Sequence, residues 1–425
     1  MNKAKDFLAR HGMSPEQIVP AEYAGRMAEN MRSGLAGHVV DMPMIPCYLT
    51  DEGKLPLGAT AIVIDAGGTN YRSGLATITE NGCEISNLNV CGMPGVGEAV
   101  DWEEFVSFVA DSVAPLAGLS DRIGFCFSYS ADILPNMDAL VHNVDKEVVI
   151  RGCTGKKIGE SLNAELERRG IAPKKIVILN DTVAALLGGS AALDKTAYSD
   201  MMGMICGTGA NTCCSVKKEL ISKIPVSEEE GKMLINLESG FYCGFPAGDV
   251  DAAVDAASVV PGEKLMEKMC SGAYLGSICR KELEMAAEEG IVSAKVKKRL
   301  GKIENFNGAV VDALACGSDP NGIFEGEQGL DFAEEVCKAL FERSARCMAT
   351  NILAIMLLNG SGTDENRPFC VCAEGSLIAK SRYFLEYLRE QMALVAIDCG
   401  RYAEIRVGRD TTLPGAAAGA ILNCG

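Results

Sequence analysis

The sequence predicts an α/β fold built from two domains. Apolar runs of strand length alternate with amphipathic stretches of helix length along 425 residues. Two turns, Gly67-Gly68-Thr69 and Gly207-Thr208-Gly209, each sit between two strand-like runs. That spacing is too wide for a solenoid repeat but suits two related domains. The length itself points to two or three domains.

The elements follow in order. Residues 1–50 carry helical patterns, and the loop 50–58 leads into AIVIDAGGTNYRSGLATI (61–78), which reads as two strands around a glycine turn. A helix is predicted over 103–117 and a strand over RIGFCFSYS (122–130). GESLNAELERRG (159–170) is an amphipathic helix closed by its last glycine. KIVILNDTVAALLGGSAAL (175–193) gives a strand, Asn-Asp-Thr and a helix, and MGMICGTGANTCCSV (202–216) gives strand, turn and strand. The stretch 250–360 is mostly helical, with its longest apolar-periodic segment at 331–358. FCVCAEGSLI (369–378) is a strand ending in Glu-Gly-Ser, and DTTLPGAAAGAILN (410–423) opens a helix of small residues.

Composition narrows the function. A net charge of −17 repels phosphate backbones and anionic lipid, so neither nucleic acid nor membrane is an expected partner. No run of 18 or more apolar residues suggests a membrane span, and the first residues lack the apolar core of a signal peptide. The 18 cysteines lie inside apolar segments, with no CxxC pair and only 3 histidines beside them. They read as reduced thiols packed as small hydrophobes in a cytosolic protein, not as zinc ligands.

A tight glycine turn lets backbone amides converge on an anion and lets phosphate approach closely. One such turn is more simply a hairpin, but two, each flanked by strands, look like jaws on a polyphosphate. Neither matches GxxxxGK[ST] or GxGxxG, and CTGKKIGE (153–160) reads as a helix start. Asp181, at a strand end in Leu-Asn-Asp-Thr, is either the base for an acceptor hydroxyl or the N-cap of the next helix.

DAGGTNYR (65–72), GFCFSYS (124–130), LNDTVAAL (179–186) and GTGANTC (207–213) resemble signatures of the hexokinase family, in the same order. NLESG (236–240), EKMCSGAYLG (267–276) and EGSL (374–377) resemble three more, and the likeness runs over roughly 40–420, from MPMIPCYL. The resemblance implies two actin-like, ribonuclease-H-like domains around a deep active-site cleft. Residues 55–182 with 412–425 would form the small domain, and 1–54 with 183–411 the large one. It implies ATP-dependent phosphorylation of a hexose, with glucose at its 6-hydroxyl as acceptor and sugar binding closing the cleft.

The site residues carry over one by one. Asp181 would be the catalytic base. Ser128, Lys146, Asn180, Asn211, Glu238 and Glu267 would bind the sugar, each hydroxyl needing its own partner. Asp65 would hold Mg²⁺ through water. Gly68, Thr69, Asn70 and Arg72 would meet the phosphates from one domain and Gly207, Thr208 and Gly209 from the other, with Gly375 and Ser376 near adenosine. Without the resemblance, Asp65 would be a turn residue and Glu238 and Glu267 surface charges.

Three departures lie on the sugar side: Ser130 replaces proline, Asp145 replaces threonine before Lys146, and Ser239 replaces tryptophan after Glu238. They leave open a kinase for mannose, fructose or an amino sugar, and a sugar-sensing or actin-like protein without turnover. The related repressor-and-kinase proteins carry a cysteine-rich zinc motif or a DNA-binding helix pair, and neither is visible here.

Overall fold

The structure, a computed structural model, describes residues 2–144, 148–225 and 231–425. By its internal contacts the chain divides into two units. One comprises Met44–Met204, Thr212–Leu237 and Arg406–Gly425, and the other Met1–Pro43, Ile205–Asn211 and Glu238–Ile405.

The first unit is organised by a five-stranded sheet in the order Lys175–Leu179, Arg122–Phe127, Thr60–Gly67, Asn70–Thr79, Gly82–Gly92. The first three strands are parallel and the last two antiparallel. Parallel neighbours need crossovers, and the helices Trp102–Val113 and Ile158–Arg168 lie in those connections. Thr60–Gly67 is buried from Ala61 to Ala66, which is why it reads as a continuous apolar run. The expected strand over 122–130 ends at Phe127, and a second short strand begins at Ser130. Ser128 and Tyr129 fall between them.

The edge strand Gly82–Gly92 is largely exposed, with Asn87 in a left-handed conformation. Its apolar residues alternate only in two short runs, Cys83/Ile85 and Leu88/Val90, which are out of phase because the ladder shifts register between them. The helix Thr412–Asn423 packs on this sheet and on the helix Asp181–Ser190. Its small residues have a steric cause. A Cβ added to Gly124 would come within 1.9 Å of the Ala416 carbonyl oxygen, and one on Gly415 within 1.9 Å of the Ala184 carbonyl oxygen. Backbones approach too closely there for any side chain.

The second unit is mainly helical. Leu330–Asn359 is its 30-residue axis, buried almost all round from Arg343 to Met356. Pro20–Leu35 and Phe384–Cys399 pack against it. A helix buried on every face needs apolar residues all round; ILAIM supplies them, and the buried Thr350 hydroxyl before it donates to Arg346 O at 2.8 Å.

A buried ion pair lies against this helix. Arg343 donates to both oxygens of Asp251 at 2.8 and 2.5 Å, both side chains being nearly inaccessible. Nearby Glu282 on Gly272–Glu288 is fully buried, and neither of its carboxyl oxygens has a hydrogen-bond partner. Burial pushes its pKa well above the usual carboxylate range, against the pull of Arg343 and with Asp251 adding to the rise. Every cysteine is a free thiol and most are buried, as the sequence reading expected.

Candidate active site

Each unit brings together one share of the residues singled out from sequence. In the first unit they gather at the carboxyl ends of three adjacent parallel strands, where open α/β sheets present function. Asp65 pairs across to Cys126, and Cys126 to Leu179, so Asp65, Ser128 and the Asn180-Asp181 pair leave the sheet side by side.

The turn between Thr60–Gly67 and Asn70–Thr79 consists of Gly68 and Thr69, with Gly67 and Asn70 as the closing pair. Gly68 has φ +58°, which glycine adopts freely. A Cβ on Gly67 would lie 3.1 Å from Ser128 Oγ and 3.2 Å from Asp65 Oδ1, which locates both side chains under the turn. Gly68, Thr69 and Asn70 are exposed.

Arg72 stands opposite Asp65 in the register. Its Nε and Nη2 donate to Asp65 Oδ2 at 2.9 and 2.7 Å, and Nη1 reaches Asp410 Oδ1 at 3.4 Å. Burial pulls the Arg72 pKa down, but the hydrogen bonds and charge of Asp65, helped by Asp410, outweigh it and the net shift is upward. Neither Asp410 nor its partnership with Arg72 was foreseen from sequence, since 338 residues separate them.

The helix after Lys175–Leu179 is capped by Asn180, whose side chain accepts from Thr182 N at 2.9 Å. The cap is therefore Asn180 and not Asp181. Asp181 is the first helical residue, and its Oδ1 accepts from the same Thr182 N–H at 2.7 Å. That bond fixes the orientation of the carboxylate. The buried Cys126 thiol registers both acids: burial raises its pKa most, and the charges of Asp65 and Asp181 add to the rise.

In the second unit, Gly207 N donates to Gly209 O at 2.9 Å and closes the other turn. The first residues of Gly272–Glu288 hold it from outside, Gly272 N on Gly207 O at 2.7 Å and Ala273 N on Thr208 O at 3.1 Å. A Cβ on Gly207 would meet Ser376 N at 2.9 Å, and one on Gly375 would meet Cys206 O at 2.3 Å. Gly375 and Ser376 therefore abut the turn, and Thr208 remains exposed.

Glu267 Oε2 accepts from Ala210 N at 3.1 Å, and Lys264 Nζ lies 3.8 Å from Oε1. Glu238 has φ +54°, an uncommon conformation for a residue with a side chain, of the kind that clusters at functional sites. Asn211 braces it: Nδ2 donates to Glu238 Oε1 at 3.3 Å and Oδ1 accepts from Ser239 N at 3.3 Å. Ser239 is buried, and its hydroxyl has no hydrogen-bond partner. Lys146 and Asp145 lie outside the described residues.

Comparison with known proteins identifies the family. Hexokinase family models match residues 3–191 and 201–422. The chain belongs to the hexokinase family. It is 27% identical over 379 residues to mouse Hexokinase-3, covering 83% of this chain and 40% of that protein. It is 27% identical over 437 residues to rice Hexokinase-4, chloroplastic, covering 94% and 84%, and 28% identical over 372 residues to fission yeast Hexokinase-1, covering 80% and 75%. The chain thus spans about two fifths of the mouse relative's length. Its fold is that of solved hexokinases. The hexokinase of Schistosoma mansoni, complexed with glucose, superposes with a TM-score of 0.76 at 20% identity, covering 99% of both chains. A second hexokinase structure reaches 0.80 at 18% identity, covering 99% of this chain and 100% of the other.

Proposed function

We propose that this hexokinase-family chain transfers the γ-phosphoryl group of ATP to a hexose, at the 6-hydroxyl of glucose, giving hexose 6-phosphate and ADP. The observation that carries this reading is Asp181, held by Thr182 at a parallel-strand end, with only the Arg122–Phe127 strand between it and the Asp65 strand. Phosphoryl transfer to an alcohol has a loose transition state, so the protein mainly positions groups and stabilises charge. Asp181 orients the acceptor hydroxyl and takes its proton. Ser128, Asn180, Asn211, Glu238 and Glu267 match sugar hydroxyls, and the amides of the two glycine turns take the phosphates. Support comes from the glucose-bound Schistosoma hexokinase and from a Streptomyces griseus ROK-family glucokinase bound to glucose and AMPPNP, TM-score 0.52.

Mg²⁺ fits the residues present. Among the described residues no group of three or more His, Cys, Asp or Glu side chains is placed to hold a metal. A lone carboxylate suits an ion bound chiefly by phosphates and water. Asp65 would hold it through water, and the ion would neutralise and orient the phosphates. Residues 55–182 with 412–425 are proposed as the functional small domain, a narrower division than the contact unit of Met44–Met204, Thr212–Leu237 and Arg406–Gly425. The cytosol is the proposed location, on the buried free thiols alone.

A second reading keeps the chemistry and changes the sugar. Ser239 stands where the family has tryptophan and leaves a buried hydroxyl unpartnered beside Glu238. That is a different wall behind the sugar-binding acids. Coupled-assay kcat/KM values for glucose, mannose, fructose and glucosamine separate the readings. Glucose should rank first; a clear preference for another hexose rejects glucose but keeps the kinase, and no sugar-dependent ADP release rejects both.

A further inference from the structure

The Tyr129 hydroxyl donates to the Gly68 carbonyl at 2.7 Å. Its ring is anchored below, tilted against Phe127 at 5.1 Å between centroids, and Phe127 belongs to the buried core of this unit. A core-anchored side chain thus reaches up to an exposed turn. On the far side of that turn the Thr69 carbonyl accepts from Met93 N at 2.9 Å. Both carbonyls of the turn are therefore committed.

The peptide joining Gly68 to Thr69 is planar and trans, so its carbonyl and its N–H point in opposite directions. A carbonyl held by Tyr129 fixes where the Thr69 N–H is aimed. Gly68 makes this necessary. Its left-handed φ of +58° is one of several basins open to glycine, and an unrestrained glycine peptide can rotate among them. An anion site made of backbone amides is effective only when the amides already face the anion.

We propose that Tyr129 is a positioning residue for the nucleotide: its hydroxyl holds the Gly68 carbonyl and so aims the Thr69 amide at a phosphate. The proposal rests on the phosphate-binding role given to this turn above. It also gives the segment after Phe127 two duties. Ser128 faces the sugar, and the next residue braces the phosphate turn.

Tyr129→Phe is the test, because it keeps the ring and deletes only the hydroxyl. One neutral hydrogen bond is worth roughly 0.5–1.5 kcal/mol, or about two- to tenfold in affinity. Titration calorimetry should show MgADP binding weakened by that factor while glucose affinity stays near parental. In steady state the KM for MgATP should rise by the same factor with kcat little changed. Parental MgADP affinity in the variant, equal weakening of sugar and nucleotide, or a parent that binds no MgADP would each overturn the proposal. A parent that binds MgADP but phosphorylates no sugar would instead defeat the kinase reading, and the variant's MgADP affinity would still decide the role of Tyr129.

Discussion

Asp65 and Arg72 face each other across the first two strands of the five-stranded sheet, and the guanidinium donates twice to a single carboxylate oxygen, Oδ2. Both residues were expected to serve the nucleotide, one toward Mg²⁺ and one toward phosphate. Here they neutralise each other, and Asp410 holds the far end of the guanidinium at 3.4 Å. The pair keeps two opposite charges poised at the turn without leaving either uncompensated in a partly buried position.

Removing the cation should therefore act on the nucleotide. Arg72→Ala is expected to raise the KM for MgATP by about tenfold or more, the scale of a lost charge-assisted hydrogen bond. Glucose affinity should change much less. Calorimetric titration of each ligand checks this, and equal losses for both would count against a phosphate-side role.

Asp181→Ala should keep the fold and lose about 10²–10⁴-fold in kcat, the usual worth of general-base assistance. Its helix should survive the change, because Asn180 caps it. A variant with parental melting temperature and parental kcat would remove Asp181 from the chemistry.

The buried Glu282 makes stability depend on pH with a definite sign. Its folded pKa is raised by burial, so the folded state holds a proton that the unfolded state releases at lower pH. The stability it contributes is complete below the unfolded value of about 4.3 and is lost as pH rises through the folded value. Glu282→Gln should abolish that loss and melt higher than the parent at alkaline pH, with the gap shrinking toward acid. Thermal melts of both proteins across that range test the sign; a gap that grows toward acid contradicts it. Arg343→Ala should destabilise by about 3–5 kcal/mol, because it strands the Asp251 carboxylate in the core.

Gly415→Ala should damage catalysis from a distance. Its Cβ would fall 1.9 Å from the Ala184 carbonyl oxygen, on the helix whose first residue is Asp181. Overpacking of this kind costs about 1–3 kcal/mol, as side chains and backbone shift to make room. A lowered melting temperature together with a lowered kcat is expected; full activity at parental stability would show that the two helices separate freely.

Much was legible in the sequence because its cause is local. AIVI followed by Asp and two glycines specifies a buried strand and a tight turn within ten residues. NDT after KIVIL specifies a helix start, and the ordered motifs named the family. Other features were set by the tertiary structure. Asn180, not Asp181, caps the helix, because the cap depends on backbone direction at one residue. The apolar alternation of the edge strand Gly82–Gly92 changes phase midway, where its ladder with Asn70–Thr79 shifts register. Glu282 reads as one surface acid among many until neighbouring helices close over it. Asp410 meets Arg72, and Tyr129 meets Gly68, across 338 and 61 residues of chain. Periodicity and turn chemistry act over a few residues, so the sequence by itself determined the elements and the chemical groups they carry. Which group faces which is decided by packing between distant segments, and only the folded chain brings those together.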